Sequence, residues 1–309
     1  MKSAFRLLVL AGFPLAALFS VVASAQTYPS KPIRIIVPFT PGSATDVMAR
    51  IVGERLHAAW GQPVFVENKP GAGGSIGIRD TARADPDGYT LAVVSSGHAV
   101  NHVLYKDLGY DTLRDLSTVA MLGNLPSVLI VPPTLPVNSV KELVAMLKAK
   151  PGQYNYATAG VGSGAHVSTE KFNVAAGVKA VHVPLKGTPP ILAETMAGRV
   201  EYAMVPAVSG MGPVRDGKVK PLAVTTSKRI AALPNVPTLG EAGFPEGEST
   251  FWLALLAPAK TPRDIVAKVN AEVARALSSQ DVISRLEKLG TEPMLMSPAQ
   301  ADALIHKSY

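Results

Sequence analysis

Ile33-Arg34-Ile35-Ile36-Val37-Pro38-Phe39-Thr40-Pro41-Gly42-Ser43-Ala44-Thr45-Asp46 decides the fold. Its first five residues are a short, β-branched apolar run, which predicts a buried strand. Pro38 breaks the run and Pro41-Gly42-Ser43 turns the chain. Val47, Met48, Ile51, Val52 and Leu56 then recur at helical spacing. Ser43 or Thr45 suits the cap of that helix, and Asp46 falls in its first turn, where a negative charge faces the positive end of the dipole. Strand, tight turn and helix start gather unpaired backbone N–H groups around an anion. The same grammar also serves an ordinary strand-to-helix turn, so the neighbouring segments decide its meaning.

Those segments repeat it. Residues 63–68 read as a second strand, followed by the glycine-rich Lys69-Pro70-Gly71-Ala72-Gly73-Gly74 and a helix over 78–84. Asp85-Pro86-Asp87-Gly88 is a turn. Residues 90–96 form a third strand ending in Ser95 and Ser96. Repeated strand–turn–helix units predict a parallel sheet in an α/β fold. Ligands of open α/β sheets bind beyond the carboxyl ends of the strands, and all three turns lie on that edge.

Further along, residues 118–131 hold two strands, the first leaving one lobe and the second entering another. Ser139 and Glu142 make a capping box for the next helix. Residues 154–159 form a strand that runs through Gly160-Val161-Gly162-Ser163-Gly164-Ala165-His166 into a helix. Strands over 181–184 and 200–206 and a helix over 190–197 follow. A strand over 220–226 is expected to return to the first lobe. The C-terminal part should add a strand over 250–257, helices over 262–278 and 279–289, a short strand over 291–296 and a last helix.

The chain has 309 residues, 47% of them hydrophobic and 17% charged, enough for about two folded units and against disorder. It has no cysteine, which excludes disulfides, thiolate metal sites and cysteine nucleophiles. Lys2 and Arg6, the apolar residues 7–22 and Ala23-Ser24-Ala25 read as a signal peptide, residues 1–25, cleaved after Ala25. The mature protein is therefore expected in a bacterial periplasm. The formal charge of +7 falls to +5 once Lys2 and Arg6 are set aside. That excess is scattered, without the clustered basic face of a nucleic-acid binder.

Taken together, these pieces resemble the Bug (TctC-type) receptors of tripartite tricarboxylate transporters. The resemblance rests on residues 28–39, Pro41-Gly42 with Thr45-Asp46, residues 61–64 and 66–74, Pro86-Asp87-Gly88-Tyr89-Thr90-Leu91, Lys150-Pro151-Gly152-Gln153, Val183-Pro184 with Lys186-Gly187, residues 233–238 and Leu255-Leu256-Ala257-Pro258. It implies a two-lobed "Venus flytrap" of the type II periplasmic binding fold, with two mixed sheets flanked by helices and joined by two crossing strands. Lobe 1 would span 26–122 plus 224–309, and lobe 2 would span 123–223. The resemblance also implies a monomer that holds a small organic carboxylate between the lobes and delivers it to the membrane subunits of the transporter, with no catalysis and no cofactor.

The chain departs from the family pattern in two places. The first turn has Ser43-Ala44 where extra glycine is usual. Many members carry Asp-Asn where this chain has Val205-Pro206, and an ammonium group would then lack its partner. A di- or tricarboxylate or an aromatic acid is thus expected over an amino acid.

The expected ligand-binding residues are Phe39, Thr40, Gly42, Ser43, Thr45 and Asp46 on the first turn, and Gly73 and Gly74 on the second. Ser95, Ser96 and His98 lie on the third. Thr158, Gly160, Ser163, Gly164, His166, Val205 and Pro206 come from the second lobe. Phe39 reads as core or as a pocket wall, His98 as a cleft or surface residue, and His166 as a ligand contact or a structural hydrogen bond. Gly160-x-Gly162-x-x-Ala165 fits a dinucleotide fingerprint, but no Asp or Glu follows near residue 180 to hold a ribose. Ser163, Ser95 and Ser96 lack the flanking glycines of a nucleophile elbow. His98 and His102 lack a third metal ligand at suitable spacing. An exported hydrolase, or a sensor without a transport role, are the alternatives.

Overall fold

The computed structural model describes residues 28–249 and 251–307; the expected signal peptide lies outside them. In chain order its elements are β1 (Ile33–Val37), α1 (Ala44–Trp60), β2 (Val64–Asn68), α2 (Ser75–Ala82), β3 (Thr90–Ser95), α3 (Asn101–Leu104), β4 (Leu116–Leu125) and β5 (Ser127–Val131). There follow α4 (Val140–Ala149), β6 (Asn155–Thr158), α5 (Gly164–Ala176), β7 (Val181–Pro184), α6 (Thr188–Met196), β8 (Tyr202–Pro206) and α7 (Ala207–Arg215). The last are β9 (Lys220–Val224), β10 (Phe251–Pro258), α8 (Arg263–Leu277), α9 (Gln280–Lys288) and α10 (Pro298–Lys307).

The strands make two five-stranded sheets, ordered β2-β1-β3-β10-β4 and β7-β6-β8-β5-β9. In the first, β1 runs parallel to β2 and β3, and β10 runs antiparallel to β3 and β4. In the second, β6 runs parallel to β7 and β8, and β5 runs antiparallel to β8 and β9. The two sheets thus share one plan: three parallel strands, then a reversed strand and an edge strand.

Both faces of each sheet are covered by helices, which is why the inner strands β3, β5, β8 and β10 read as near-continuous apolar runs. Ile33, Ile35 and Val37 enter the core shared with α1, α8 and α9, whereas Ile36 enters the core under α2 and α10. Phe251, Leu253 and Leu255 of β10 join the former; Trp252, Ala254 and Leu256 join the latter. The second sheet is enclosed by α4 and α5 on one face and by α6 and α7 on the other. Among the described residues no helix is long and apolar enough to cross a membrane.

The chain passes between the sheets twice. The first passage is short, from Leu125 through Pro126 to Ser127. The second is made by residues 225–249 and not by β9, which stays in the second sheet as its edge; the expected returning strand is corrected here. The passages are tied together where Thr225 N–H donates to Ser127 O (2.9 Å), Ser127 N–H to Thr225 Oγ1 (3.1 Å), and Ser249 N–H to Thr225 O (2.9 Å). Two neighbouring crossings joined this way form a hinge axis.

Two local readings also change. Helix α7 was absent from the sequence reading because Gly210, Gly212 and Pro213 argue against a helix. Gly210 earns its place by packing: a Cβ there would sit 2.9 Å from Val205 Cγ2. Residues 291–296 make a single bridge, Glu292 with Asn124, in place of the expected strand.

Candidate functional site

The parallel strands of both sheets point their carboxyl ends at the gap between them, and the turns that follow meet there. The turn after β1 meets the turn after β7: Thr40 N–H donates to Lys186 O (3.1 Å), and Thr188 N–H reaches Ser43 Oγ (3.4 Å). The turn after β2 meets the turn after β6, and a Cβ on Gly73 would lie 2.0 Å from Val161 O. The segment after β3 meets the same turn, and a Cβ on Gly97 would lie 2.3 Å from Gly162 O and 2.6 Å from Gly164 N. The two halves are therefore closed on each other, with glycine wherever their backbones approach most nearly.

Enclosed between these turns is a cavity of about 20 Å³, roughly the room of one water. Ser43, Ala44 and Thr45 line it from the start of α1, Ser163, Gly164 and Ala165 from the start of α5, and Gly187 and Thr188 from the start of α6. Phe39, Ser95, Ala159, Pro206 and Phe251 complete the wall. The first N–H groups of a helix lack partners within it and carry its positive end. Helices α1 and α5 bring such groups from opposite halves to one cavity, whereas α6 has Pro189 and Pro190 in its first turn and so offers few donors. Thr45 Oγ1 is buried there with no hydrogen-bond partner among the described residues. No Asp, Glu, Lys, Arg or His lines the wall.

Of the expected site residues, Phe39, Ser43, Thr45, Ser95, Ser163, Gly164 and Pro206 line this cavity. Thr40, Gly42, Gly73 and Gly160 stand at its rim, against the opposite half. Gly74 packs on Pro38 and Phe39 behind the turn, and Ser96 only begins the helical turn after β3.

Five other expected residues do not line this cavity, and each is engaged within its own half; for His166 the structural hydrogen bond is the alternative observed. Asp46 is buried and surrounded by donors: Gly42 N–H (2.9 Å), Arg50 Nε and Nη2 (both 3.0 Å) and Asn68 Nδ2 (2.9 Å). Burial pushes its carboxyl pKa up, but the bonds from Arg50, Gly42 and Asn68 outweigh this and hold it below the usual range. Its charge shapes the turn and leaves no oxygen for a ligand. His98 points away from the gap, parallel to Tyr110 at 6.3 Å, and burial depresses its pKa to about 3. Thr158 Oγ1 pairs with His182 Nε2 (2.6 Å) and receives Gly160 N–H (3.2 Å). His166 Nδ1 accepts Gly162 N–H (3.3 Å), and its ring lies 4.7 Å from that of His182. Val205 alternates into the core behind β8, leaving only Pro206 on the wall.

Ala44, Ala159, Ala165, Gly187, Thr188 and Phe251 line the cavity without having been singled out. Lys186-Gly187 was visible as a glycine after a short strand. Phe251 carried no signal, because a strand aromatic reads as core, and its ring sits where a Cβ on Gly164 would be, 2.0 Å from Cε2.

Comparison with known proteins adds four findings. The family model described as "Tripartite tricarboxylate transporter family receptor" matches residues 48–309. Protein BugT of Bordetella pertussis is 38% identical over 305 residues, covering 97% of this chain and 93% of its own. Among solved structures, the periplasmic binding protein BugD is 31% identical with a TM-score of 0.87, over 91% of this chain and 95% of that one. Rpa4515 of R. palustris, solved with adipate, is 34% identical with a TM-score of 0.88, over 91% and 94%.

Proposed function

The chain belongs to the tripartite tricarboxylate transporter family of receptors, and from that premise we propose that it captures a small organic carboxylate between its two halves. The observation that carries this reading is the pairing of two helix starts, α1 and α5, one from each half, around one buried cavity without a charged side chain. An acid group would be held by backbone N–H groups and by the hydroxyls of Ser43, Thr45, Ser95 and Ser163, at the positive ends of both helices. The cavity as it stands has room for about one water, so the halves would close less far around a ligand, with Phe39, Pro206 and Phe251 flanking its carbon body. A carboxylate bonded to both halves favours the closed form, which is how binding drives closure.

The wall offers no carboxylate to an ammonium group, so the ligand is a plain di- or tricarboxylate or an aromatic acid and not an amino acid. The adipate bound by the R. palustris relative fits that class. The lobes divide close to the expected 26–122 plus 224–309 and 123–223, at the crossings from Leu125 to Ser127 and over residues 225–249. The mature chain starts at Gln26, resides in the periplasm as a monomer, catalyses no reaction, and hands its ligand to the membrane subunits of a tripartite transporter.

A melting-shift panel tests this directly. Adipate, malate, benzoate, citrate, aspartate and glutamate are each added at millimolar concentration. A ligand of the folded state raises Tm by mass action, the equivalent of about 2.7 kcal/mol at a hundredfold excess over Kd. At least one of the first four acids should raise Tm and the two amino acids should not. A rise with aspartate or glutamate alone would overturn the assigned ligand class, and no rise with any acid would overturn the carboxylate reading.

A further inference from the structure

Among the described residues, two hydroxyl hydrogen bonds cross the gap outside the cavity, beside the bond from Arg215 Nη2 on α7 to Lys288 O on α9 (2.8 Å). Tyr105, just after α3, donates its phenol O–H to Val161 O on the opposite half (2.8 Å). Ser209, in the first turn of α7, donates its hydroxyl back across to Gly42 O (3.0 Å). Each half thus sends one hydroxyl to a turn carbonyl of the other, and neither donor belongs to the cavity wall. The acceptors lie within the turns that carry the binding groups: Gly42 precedes Ser43, and Val161 stands two residues before Ser163. Gly73 makes room for the first contact, since a Cβ there would lie 3.2 Å from Tyr105 Oη as well as against Val161 O.

We propose that Tyr105 and Ser209 are positioning residues that latch the two halves shut, and so set ligand affinity without touching the ligand. The inference rests on the receptor reading, and it goes further by naming what holds the closed form. Once the halves part, water takes over both donors and both carbonyls, so each bond contributes only the net value of an intramolecular hydrogen bond. Loss of one should lower the closed-to-open ratio roughly fivefold. The two sites share no partner, so their losses should multiply to about twenty-five-fold. Where the closed form is the binding form, apparent affinity follows the closed fraction. Removing the latch therefore weakens every ligand by one common factor, whereas a wall substitution discriminates among ligands.

The test needs no ligand. The chain has no cysteine, so a pair of spin labels can be placed at will. Phe65 on β2 and Val181 on β7 are exposed, at 58% and 47%, on the sheet edges farthest from the crossings, where a hinge motion is largest. Phe65→Cys and Val181→Cys are labelled in otherwise unchanged protein and in Tyr105→Phe/Ser209→Ala, and the distance distribution is recorded by pulsed electron spin resonance.

The expected result is a short-distance population in the parent whose ratio to the long-distance one falls about twenty-five-fold in the double variant. A parent already open without ligand, or a double variant whose distances match the parent's, overturns the latch. Neither of those results touches the receptor reading, which fails separately if no acid of the panel raises Tm.

Discussion

The turns that start α1 and α5 solve one problem in two ways. Their cap serines have nearly the same backbone, φ −68° and ψ 160° at Ser43 and φ −68° and ψ 156° at Ser163. Ser163 caps its own helix, accepting His166 N–H at 3.2 Å. Ser43 makes no cap bond within α1 and instead faces Thr40 and the opposite half's Thr188. The difference follows from what holds each turn. On α1 a buried carboxylate, Asp46, takes the turn's Gly42 N–H and is neutralised by Arg50. On α5 the turn is shaped by neutral groups, Thr158, His166 and His182. A charge-braced turn can release its serine to the gap, while an uncharged one spends its serine on itself.

The sharpest way to break this picture of two turns meeting at one gap is Gly97→Ala. The three atoms nearest the added Cβ, Gly162 O, Gly164 N and Ser163 C, all belong to the opposite turn, at 2.3–2.7 Å. Real Cβ atoms do not approach backbone so closely, so the halves must stay apart, while the fold of each is undisturbed. We expect roughly a hundredfold or greater loss of affinity for whichever acid raises Tm, because the closed fraction collapses. Calorimetric titration giving affinity within about threefold of the parent would mean that the gap is not where ligand is held.

How much of this was legible in the sequence follows from the same contrast. The strand–turn–helix units were readable because both faces of each sheet are buried, so β10 is a continuous apolar run ending in Pro258 and β1 is one broken only by Arg34 and followed by Pro38. The capping box at Ser139 and Glu142 is present, though Glu142 reaches Asn138 N–H at 2.6 Å. Cap serines were readable because capping is local. Illegible were the contacts that exist only after two distant turns meet. Nothing near Gly97 or Phe251 in sequence marks them as facing residues 162–164. Asp46 looked like a ligand group because an acid in a helix's first turn is common; that Arg50 and Asn68 would surround it is a tertiary fact. His98 was misread for a similar reason, its burial being set by how α3, β10 and α10 pack.

Asp46→Asn sharpens the comparison at the level of stability. All of Asp46's partners are donors, so an amide of the same shape aims its NH2 at another N–H and forfeits the charge pair with Arg50. Breaking such a charged, hydrogen-bonded cluster should cost about 2 kcal/mol, moderated because Arg50 is half in solvent. Urea unfolding would read this as a lowered midpoint at unchanged slope. A cost under about 0.5 kcal/mol would show that the α1 turn does not depend on its charge.

The serines provide a smaller and more direct contrast. Ser163→Ala removes a real cap and should cost about 1 kcal/mol of folding stability. Ser43→Ala removes no cap bond within α1, so its unfolding midpoint should stay close to the parent's, with its effect falling on closure. Equal destabilisation by the two substitutions would mean that the backbone likeness outweighs the different hydrogen bonds.

The smallest effect is a pH response confined to one turn. Burial lowers the pKa of His166, only partly offset by Glu170, and burial with the facing His166 lowers that of His182. A group depressed in the folded state stabilises it above its ordinary pKa, here about 6.5, and loses that contribution as pH falls through the folded value. Protonation at His166 Nδ1 removes the acceptor of Gly162 N–H and sets a second donor against it, so the α5 turn loosens as the pH falls through that depressed value. Asp46 is depressed as well, but from the carboxylate range, so the α1 turn holds its geometry until the pH is below about 4. Amide NMR over pH 7.5 to 5 should move Gly162 and Ser163 while Gly42 and Ser43 stay in place. His166→Gln, which offers a non-titrating side-chain acceptor, should suppress the movement. Gly42 and Gly162 shifting together over that range would mean that the two turns are not held by different chemistry.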